Sequence, residues 1–215
     1  FSSIYGEWET TGEASSGLWR TFHESQRFPE PRTPVEVVLL KRTSQGDFSE
    51  IFATRVDPAG RLVNRAPLPD EGELTVLFRN GPLETKVDLL VLASGYGLGE
   101  AGKFLSDTRR LTSALFETEP FTSRQEDFNL RALHIPAPNS GISDPRRGIW
   151  RDDPLGLSFN ALGLDRYVLT QRNRQLREAA AFVPYDALVI IFNSPKYGGG
   201  GIFNLWATAA SDTAP

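Results

Sequence analysis

The sequence predicts a mixed fold of class α+β or α/β, in which an N-terminal antiparallel β-sandwich precedes an α/β domain. Residues 1–85 hold short β-type runs separated by turn-forming Gly, Asp and Pro, a spacing typical of small sandwiches. From Lys86 onward, apolar strand patterns alternate with helical ones, which is typical of a layered α/β domain. We therefore predict two domains, over residues 1–85 and 86–215.

The N-terminal half contains three strand-like runs. They are PVEVVLLKR at 34–42, SEIFATRV at 49–56 and GELTVLFR at 72–79. Because turn formers separate them, we expect all three to be antiparallel strands of the sandwich.

The C-terminal half begins with VDLLVLA at 87–93, an apolar run that predicts a buried strand. A helix is expected over Leu98–Phe116, because Phe104, Thr108 and Leu111 recur on one helical face. The remaining predicted elements are a strand at 128–136, a helix at roughly 166–182, a strand at 185–193 and a last strand within IFNLWATAA at 202–210.

Composition excludes several function classes. The 23 Lys and Arg against 27 Asp and Glu give a net charge of −4, which argues against nucleic acid as a partner. The absence of Cys excludes disulfides, thiolate metal sites and a Cys nucleophile. No apolar run approaches the roughly 20 residues of a membrane helix. Because the chain has no Met and opens at Phe1, we expect that a preceding segment has been removed.

The segment GLGEAG matches the dinucleotide-binding pattern G-x-G-x-x-G at Gly97, Gly99 and Gly102. It lies between a predicted strand and a predicted helix, as in proteins that bind a pyrophosphate at a helix N-terminus. The pattern also needs an acidic residue about 20 positions on, at the end of the next strand. That distance falls on Glu117 and Glu119, which close the helix. A tight turn is the favoured interpretation, and a nucleotide-binding enzyme stays an alternative.

The histidines and Ser94 are predicted to have structural roles, because none of them lies in a catalytic or metal-binding motif. His23 and His134 are the only histidines, and neither has a second ligand at metal-binding spacing. We predict a surface or loop position for His23 and a locally hydrogen-bonded strand position for His134. Ser94 lacks the G-x-S-x-G context of a nucleophile elbow and is expected to end a strand and cap the following helix.

Three aspartates, Asp144, Asp152 and Asp153, lie in a loop rich in Gly, Pro and Arg. We expect turns or ion pairs with the loop arginines 146, 147 and 151, with Ca²⁺ binding as the alternative.

Four consecutive glycines, Gly198–Gly201, precede the last predicted strand. Ordering them is costly, at roughly 0.5–1 kcal/mol each relative to Ala in a regular element. They indicate either a backbone that lies close to something, such as an edge strand joined by a peptide, or a flexible loop tip.

Several segments together resemble the bacterial IgA-peptidase family of zinc metallopeptidases. They include KVDLLVLASGYGLGEAGKFLSDTRRL, PFTSRQEDFNLRALHIPAPNSGISDPRRGIWRDDPLGLSFN and NSPKYGGGGIFNLWATAASDTAP, in the order of the family. The resemblance implies an N-terminal sandwich followed by the upstream half of a zincin-like catalytic domain. It also implies a Zn²⁺ ion in the complete protein, held by two His of an H-E-x-x-H helix whose Glu activates water.

That helix would follow Tyr197–Thr208, and it lies outside these 215 residues. The resemblance therefore implies no catalytic or metal-ligating residue here, and this chain alone is expected to be inactive. The implied substrate-binding residues are Tyr197, Gly198, Gly199, Gly200, Gly201, Ile202, Phe203, Asn204 and Leu205. One departure concerns Ala93–Tyr96, because the family usually reads GDGY where this chain reads ASGY.

Three functions follow as hypotheses. The first is the N-terminal portion of a zinc endopeptidase that is secreted or located in the periplasm or cell envelope and acts on a protein or peptide. It is completed by a C-terminal segment, either of the same polypeptide or as a separate chain. The second is an inactive fragment or relative that binds proteins. The third is the nucleotide-binding enzyme.

Overall fold

The computed structural model describes residues 6, 8–21, 28–66, 72–170, 172–202 and 205–212. The chain divides into two compact units. One comprises Gln26–Pro67, and the other comprises Phe1–Ser25 together with Leu68–Pro215. The domain bounds 1–85 and 86–215 stay a prediction.

The smaller unit contains a β-hairpin. Strand β1 (Val35–Arg42) pairs antiparallel with β2 (Phe48–Val56). Gly46 has a φ of 93°, a left-handed value that favours glycine, in the connecting turn. Both strands lie where the sequence predicts them. Within residues 28–66 they form a single two-stranded sheet, so the complete sandwich stays a prediction.

The larger unit is built on a six-stranded sheet in the order β3-β5-β4-β8-β10-β9. Strands β5, β4, β8 and β10 are parallel, whereas the edge strands β3 and β9 run antiparallel to their neighbours. A separate two-stranded sheet pairs β6 with β7. The strand bounds are β3 Glu73–Arg79, β4 Val87–Ser94, β5 Phe128–His134, β6 Leu157–Ser158, β7 Leu169–Thr170, β8 Ala187–Phe192, β9 Gly199–Ile202 and β10 Trp206–Ala210.

The α-helices that lie wholly within the described residues are α1 (Gly12–Ser15), α2 (Ala101–Phe116) and α3 (Asn173–Ala181). Helix α2 follows β4 through a short 3-10 turn and buries Phe104 together with Leu89 and Val91 of β4. Leu90 and Leu92, which alternate with these residues, are buried on the other face with Leu176 of α3. Both faces of β4 are therefore covered, and this explains its unbroken apolar sequence.

Strand β3 corrects one sequence-based expectation. Its residues were expected in the N-terminal sandwich, but Glu73 pairs with His134 and Arg79 with Asn129 at the edge of the larger sheet. A short strand pattern specifies its own conformation and leaves its partner unspecified, because pairing depends on contacts distant in sequence.

Two C-terminal elements also differ from expectation. The second helix begins at Asn173, whereas Leu169–Thr170 form a strand, and Val168, Leu169 and Thr170 are buried. The last predicted strand is two antiparallel strands, because Gly199–Gly201 are themselves strand residues and a turn precedes Trp206. The mixed α+β class is confirmed. Within the described residues, no helix has the length and apolar character needed to cross a membrane.

Candidate functional site: an edge strand and its cleft

Strand β9 forms one edge of the large sheet and consists mainly of glycine. It pairs antiparallel with β10, so that Gly199 lies opposite Ala209 and Gly201 opposite Ala207. Three of the four glycines are therefore strand residues rather than a loop tip. Of the predicted substrate-binding residues, Phe203 and Asn204 lie outside the described residues. Thr208, which ends the family-like segment, lies on β10 in the interior of the sheet.

Three of the glycines are required by close packing. A Cβ atom on Gly198 would lie 2.6 Å from the Phe159 ring, and one on Gly200 would lie 2.2 Å from the Tyr167 ring. A Cβ atom on Gly199 would lie 2.5 Å from the carbonyl oxygen of Thr208. These distances are far below van der Waals contact, so any side chain would force the neighbours apart.

Gly201 is different, because nothing within this chain requires it to be glycine. A Cβ atom there would meet its nearest neighbour, Ala207 Cβ, at an ordinary 3.7 Å. Gly201 is also exposed. A glycine in a strand that is not explained by internal packing indicates a close approach by another backbone.

The outer side of β9 is partly covered by a second segment, Arg166–Val168. The Gly199 N–H donates to the Arg166 carbonyl at 3.0 Å, and the Val168 N–H donates to the Gly199 carbonyl at 3.2 Å. Since strand residues two apart direct their N–H and C=O groups to the same side, those of Gly201 also point outward. Among the described residues, no strand or bridge pairs with Gly201 on that side.

An open cleft of about 710 Å³ lies where this segment meets the strand. Its walls come from the residues before β7, from the start of β9 and from the facing part of β10. They are Leu164, Asp165, Arg166, Tyr167, Tyr197, Gly198, Gly199, Gly200, Thr208 and Ala209. The cleft therefore contains four of the predicted substrate-binding residues.

A lysine bound to two carboxylates lies beside this cleft. Lys196 Nζ is 2.9 Å from Asp144 Oδ2, 2.8 Å from Asp165 Oδ1 and 4.3 Å from the centre of the Phe159 ring. Burial opposes protonation of Lys196, but the hydrogen bonds to Asp165 and Asp144 outweigh it and raise the pKa of the lysine. The same contact with Lys196 lowers the pKa of Asp165. The network holds the start of β9 against the loop that carries Asp144.

A buried carboxylate, Asp153, lies at the C-terminal end of the central strand. It accepts hydrogen bonds from Ser94 Oγ at 2.8 Å, from the Gly95 N–H at 2.8 Å and from the Leu157 N–H at 3.1 Å. Burial raises the pKa of Asp153, and these hydrogen bonds offset that effect only in part. Ser94 ends β4 as predicted, but its hydroxyl binds Asp153 and does not cap the helix.

The GLGEAG segment carries its own carboxylate in the position that an anion would need. Glu100 Oε2 accepts the Gly97 N–H at 2.7 Å, and Glu100 Oε1 accepts hydrogen bonds from Ser140 and Asn193 at 3.0 and 3.1 Å. Burial opposes ionisation of Glu100, but these bonds outweigh it and lower its pKa. A negative charge at this turn disfavours the approach of a pyrophosphate.

The other singled-out residues have structural surroundings. His134 lies in β5 as predicted and stacks on Phe104, with ring centres 5.9 Å apart. The prediction of local hydrogen bonding is wrong for its Nε2, which is buried and has no partner among the described residues. His23 lies outside the described residues.

Asp144 and Asp153 lie in turns, as predicted, because their carbonyls accept the N–H groups of Arg147 and Gly156. Two of the three loop aspartates form ion pairs, but not with the expected arginines. Asp144 pairs with Lys196, and Asp152 lies 3.7 Å from Arg172. Arg146 instead approaches Asp165 at 3.9 Å. The expected partners were wrong because contacts that close a loop come from distant positions, which local spacing does not reveal.

The described residues do not fit a zinc or calcium site. Nowhere among them do three or more His, Asp or Glu side chains converge as metal ligands. Zinc requires such a set of nitrogen and oxygen donors in tetrahedral arrangement.

Comparison with known proteins places the chain among the peptidases. It belongs to the IgA peptidase M64 family, whose model matches residues 76–214, and the model of the peptidase M64 N-terminus matches residues 1–53. The resemblance seen in the sequence is thus confirmed. Comparison with curated proteins finds no match.

Sequence reasoning missed two parts of this site. The Arg166–Val168 segment was assigned to a helix, although the β-branched and aromatic residues Tyr167 and Val168 favour an extended conformation. Asp153 was treated as a loop carboxylate, because its partners Ser94 and Gly95 lie 59 and 58 positions away.

Proposed function

We propose that the protein is a secreted or periplasmic zinc metalloendopeptidase, and that this chain supplies the strand along which the substrate backbone is held. The substrate-binding residues are those of the segment Tyr197–Leu205, with Gly201 as the principal pairing position. The observation that supports this is the exposed Gly201 on an edge strand whose other glycines are explained by internal packing.

Backbone pairing suits an endopeptidase because it is independent of substrate side chains. An extended peptide that adds to a sheet edge is held by main-chain hydrogen bonds, and adjoining clefts select its side chains. The Arg166–Val168 segment already bonds to Gly199. Pairing would therefore be confined to Gly201 and the residues after it, and the substrate would leave the strand beside the cleft.

Zn²⁺ and the groups that bind it belong to the complete protein in this proposal. When bound, zinc would supply the activated water for hydrolysis. The chain described here contributes positioning alone, because its described residues offer no metal site. The 215-residue chain by itself is expected to hydrolyse no peptide.

The test compares Gly201→Val with Gly99→Val. Gly99 is exposed, and no atom lies within 4 Å of the place that a Cβ would take there, so it is a neutral control site for the same added volume. Hydrolysis of an unstructured protein such as casein by the complete zinc-loaded enzyme is measured with and without a chelator. We expect chelator-sensitive hydrolysis that Gly201→Val reduces at least tenfold, while Gly99→Val retains it. Equal activity of the two variants would contradict the pairing role of Gly201.

A protein-binding module is the second candidate, because the same open strand edge serves binding without hydrolysis. Binding of unlabelled peptides to the ¹⁵N-labelled 215-residue chain is followed through the amide signals of β9. Two results together would favour this candidate over the peptidase: a shift of the Gly201 amide signal on peptide addition, and the absence of hydrolysis by the complete protein.

A further inference from the structure

The cleft beside β9 has a cation at its mouth. The guanidinium carbon of Arg166 lies 5.3 Å from the centre of the Tyr197 ring, and both side chains are exposed. An arginine over an aromatic face is held in place by a cation–π contact that leaves the edge of the guanidinium open to a ligand.

The carboxylates near Arg166 are bound to other cations. Asp165 contacts Lys196 at 2.8 Å and lies 3.9 Å from Arg146, and Asp144 contacts Lys196 at 2.9 Å. The hydrogen bond with Lys196 is the main cause of the lowered pKa of Asp165, and the charges of Arg146 and, last, Arg166 add to it. Within the described part of the chain, no Asp or Glu lies at ion-pair distance from Arg166.

The backbone of Arg166 is fixed to the strand proposed to bind substrate. Its carbonyl accepts the Gly199 N–H at 3.0 Å, and the adjacent Tyr167 ring packs on Gly200. The guanidinium thus projects from an anchored position, and its planar array of donors matches a carboxylate in bidentate geometry.

We propose that Arg166 binds an acidic side chain of the peptide substrate, so that the enzyme prefers substrates with Asp or Glu at one position. This inference rests on the proposed function, since it assumes that a peptide pairs with Gly201. Tyr197 precedes β9, and four extended residues from Tyr197 to Gly201 span at most roughly 13 Å. Because the substrate leaves the strand beside the cleft, its acidic residue lies at least about four positions from the substrate residue that pairs with Gly201.

The experiment uses the complete zinc-loaded protein and two matched libraries of unstructured peptides. One library carries a single Glu at successive positions, and the other carries Gln at the same positions. Cleavage rates at low substrate concentration are compared for wild type, Arg166→Gln, Arg166→Lys and the control Arg109→Gln. Arg109 is exposed on α2, outside the cleft.

We expect the wild-type protein and Arg109→Gln to cleave the best Glu peptide about tenfold faster or more than its Gln counterpart, as a charge-assisted hydrogen bond implies. Arg166→Gln should remove this preference while Gln peptides are cleaved as before, and Arg166→Lys should retain part of it. Cleavage without any preference for Glu, or a preference that survives in Arg166→Gln, would overturn the role of Arg166 alone. Absence of cleavage of every peptide would overturn the proposed peptidase function and this inference with it.

Discussion

The Ser94 hydroxyl donates a 2.8 Å hydrogen bond to Asp153, and both residues are almost fully buried. This contact joins the end of the central strand β4 to a loop that precedes β6. No Lys or Arg among the described residues forms an ion pair with the Asp153 carboxylate; its other partners are backbone N–H groups. A buried carboxylate held only by neutral donors makes stability sensitive to pH and to the residue at position 94.

The first prediction concerns Asp153→Asn and pH. Because burial raises the pKa of Asp153 in the folded protein, the folded state binds this proton more tightly than the unfolded state. The contribution of this bound proton to the free energy of unfolding is fully present below the unfolded pKa of about 3.9. It is lost as the pH rises through the raised pKa of the folded state. We expect the wild-type protein to lose free energy of unfolding over this window relative to Asp153→Asn. Urea unfolding from pH 4 to pH 7 measures the difference.

Asp152→Asn is the matched control, because the neighbouring Asp152 side chain is 73% exposed. The difference in free energy of unfolding between Asp152→Asn and wild type should change little over the same pH range. A flat difference between wild type and Asp153→Asn would show that the Asp153 pKa is not raised.

The second prediction concerns Ser94→Asp, which places a second carboxyl group beside Asp153 at the end of β4. Two buried carboxyl groups would then lie in direct contact, and mutual repulsion would raise the pKa of one of them strongly. We expect Ser94→Asp to be folded at pH 5. At pH 8 its free energy of unfolding should be lower than at pH 5 by about 2 kcal/mol or more, because a buried charge is then unpaired. Thermal unfolding of Ser94→Asp and Ser94→Asn at the two pH values measures this. If Ser94→Asp lost the same stability at pH 5 and pH 8, the predicted repulsion between the two carboxyl groups would be contradicted.

The third prediction separates the glycines of β9 by stability. Gly199→Ala would place a Cβ atom 2.5 Å from a backbone carbonyl and should cost about 2–3 kcal/mol in free energy of unfolding. Gly201→Ala meets only ordinary contacts and should be neutral within about 0.5 kcal/mol, or slightly stabilising because it restricts the unfolded chain. Chemical denaturation of the two variants provides the measurement. A large loss for Gly201→Ala would mean that an internal contact requires glycine there.

The fourth prediction concerns Lys196→Met, which removes the cation between two aspartates. Asp144 is 5% exposed and would keep a buried charge without its partner. We expect a loss of about 2–3 kcal/mol in free energy of unfolding near neutral pH, below the value for fully buried pairs because Lys196 is 22% exposed. Asp165→Asn should cost less, since Asp165 is 44% exposed. If the two variants lose the same stability, Asp144 does not depend on this lysine.

Local sequence patterns predicted the conformation of most strands and the position of α2. The apolar run of β4 and the helical spacing of Phe104 and Thr108 reflect burial that is visible within a few residues. The partners of the strands within the sheet were predicted less well than the strands themselves. Strand β3 pairs with a part of β5 that lies 50 to 61 residues further along the chain, and no local pattern specifies that partner.

The site was only partly predictable for the same reason. The tetraglycine indicated a close approach, but the ring of Tyr167 and the carbonyl of Thr208, which explain Gly200 and Gly199, come from other elements. The role of Asp153 depends on Ser94 in β4. Composition, in contrast, excluded thiolate chemistry for these 215 residues, because that conclusion requires only a count of cysteines.

The position of β4 in the middle of the sheet has a kinetic consequence. This strand is the first parallel strand made during synthesis, yet β8, one of its two neighbours, is far downstream, and the Asp88 N–H bonds to Asp186 across 98 residues. Until β8 arrives, one side of a very apolar strand has no partner. Contacts of such separation slow folding and expose strand edges to aggregation. We therefore expect refolding from denaturant to be slow, and its yield to fall as protein concentration rises.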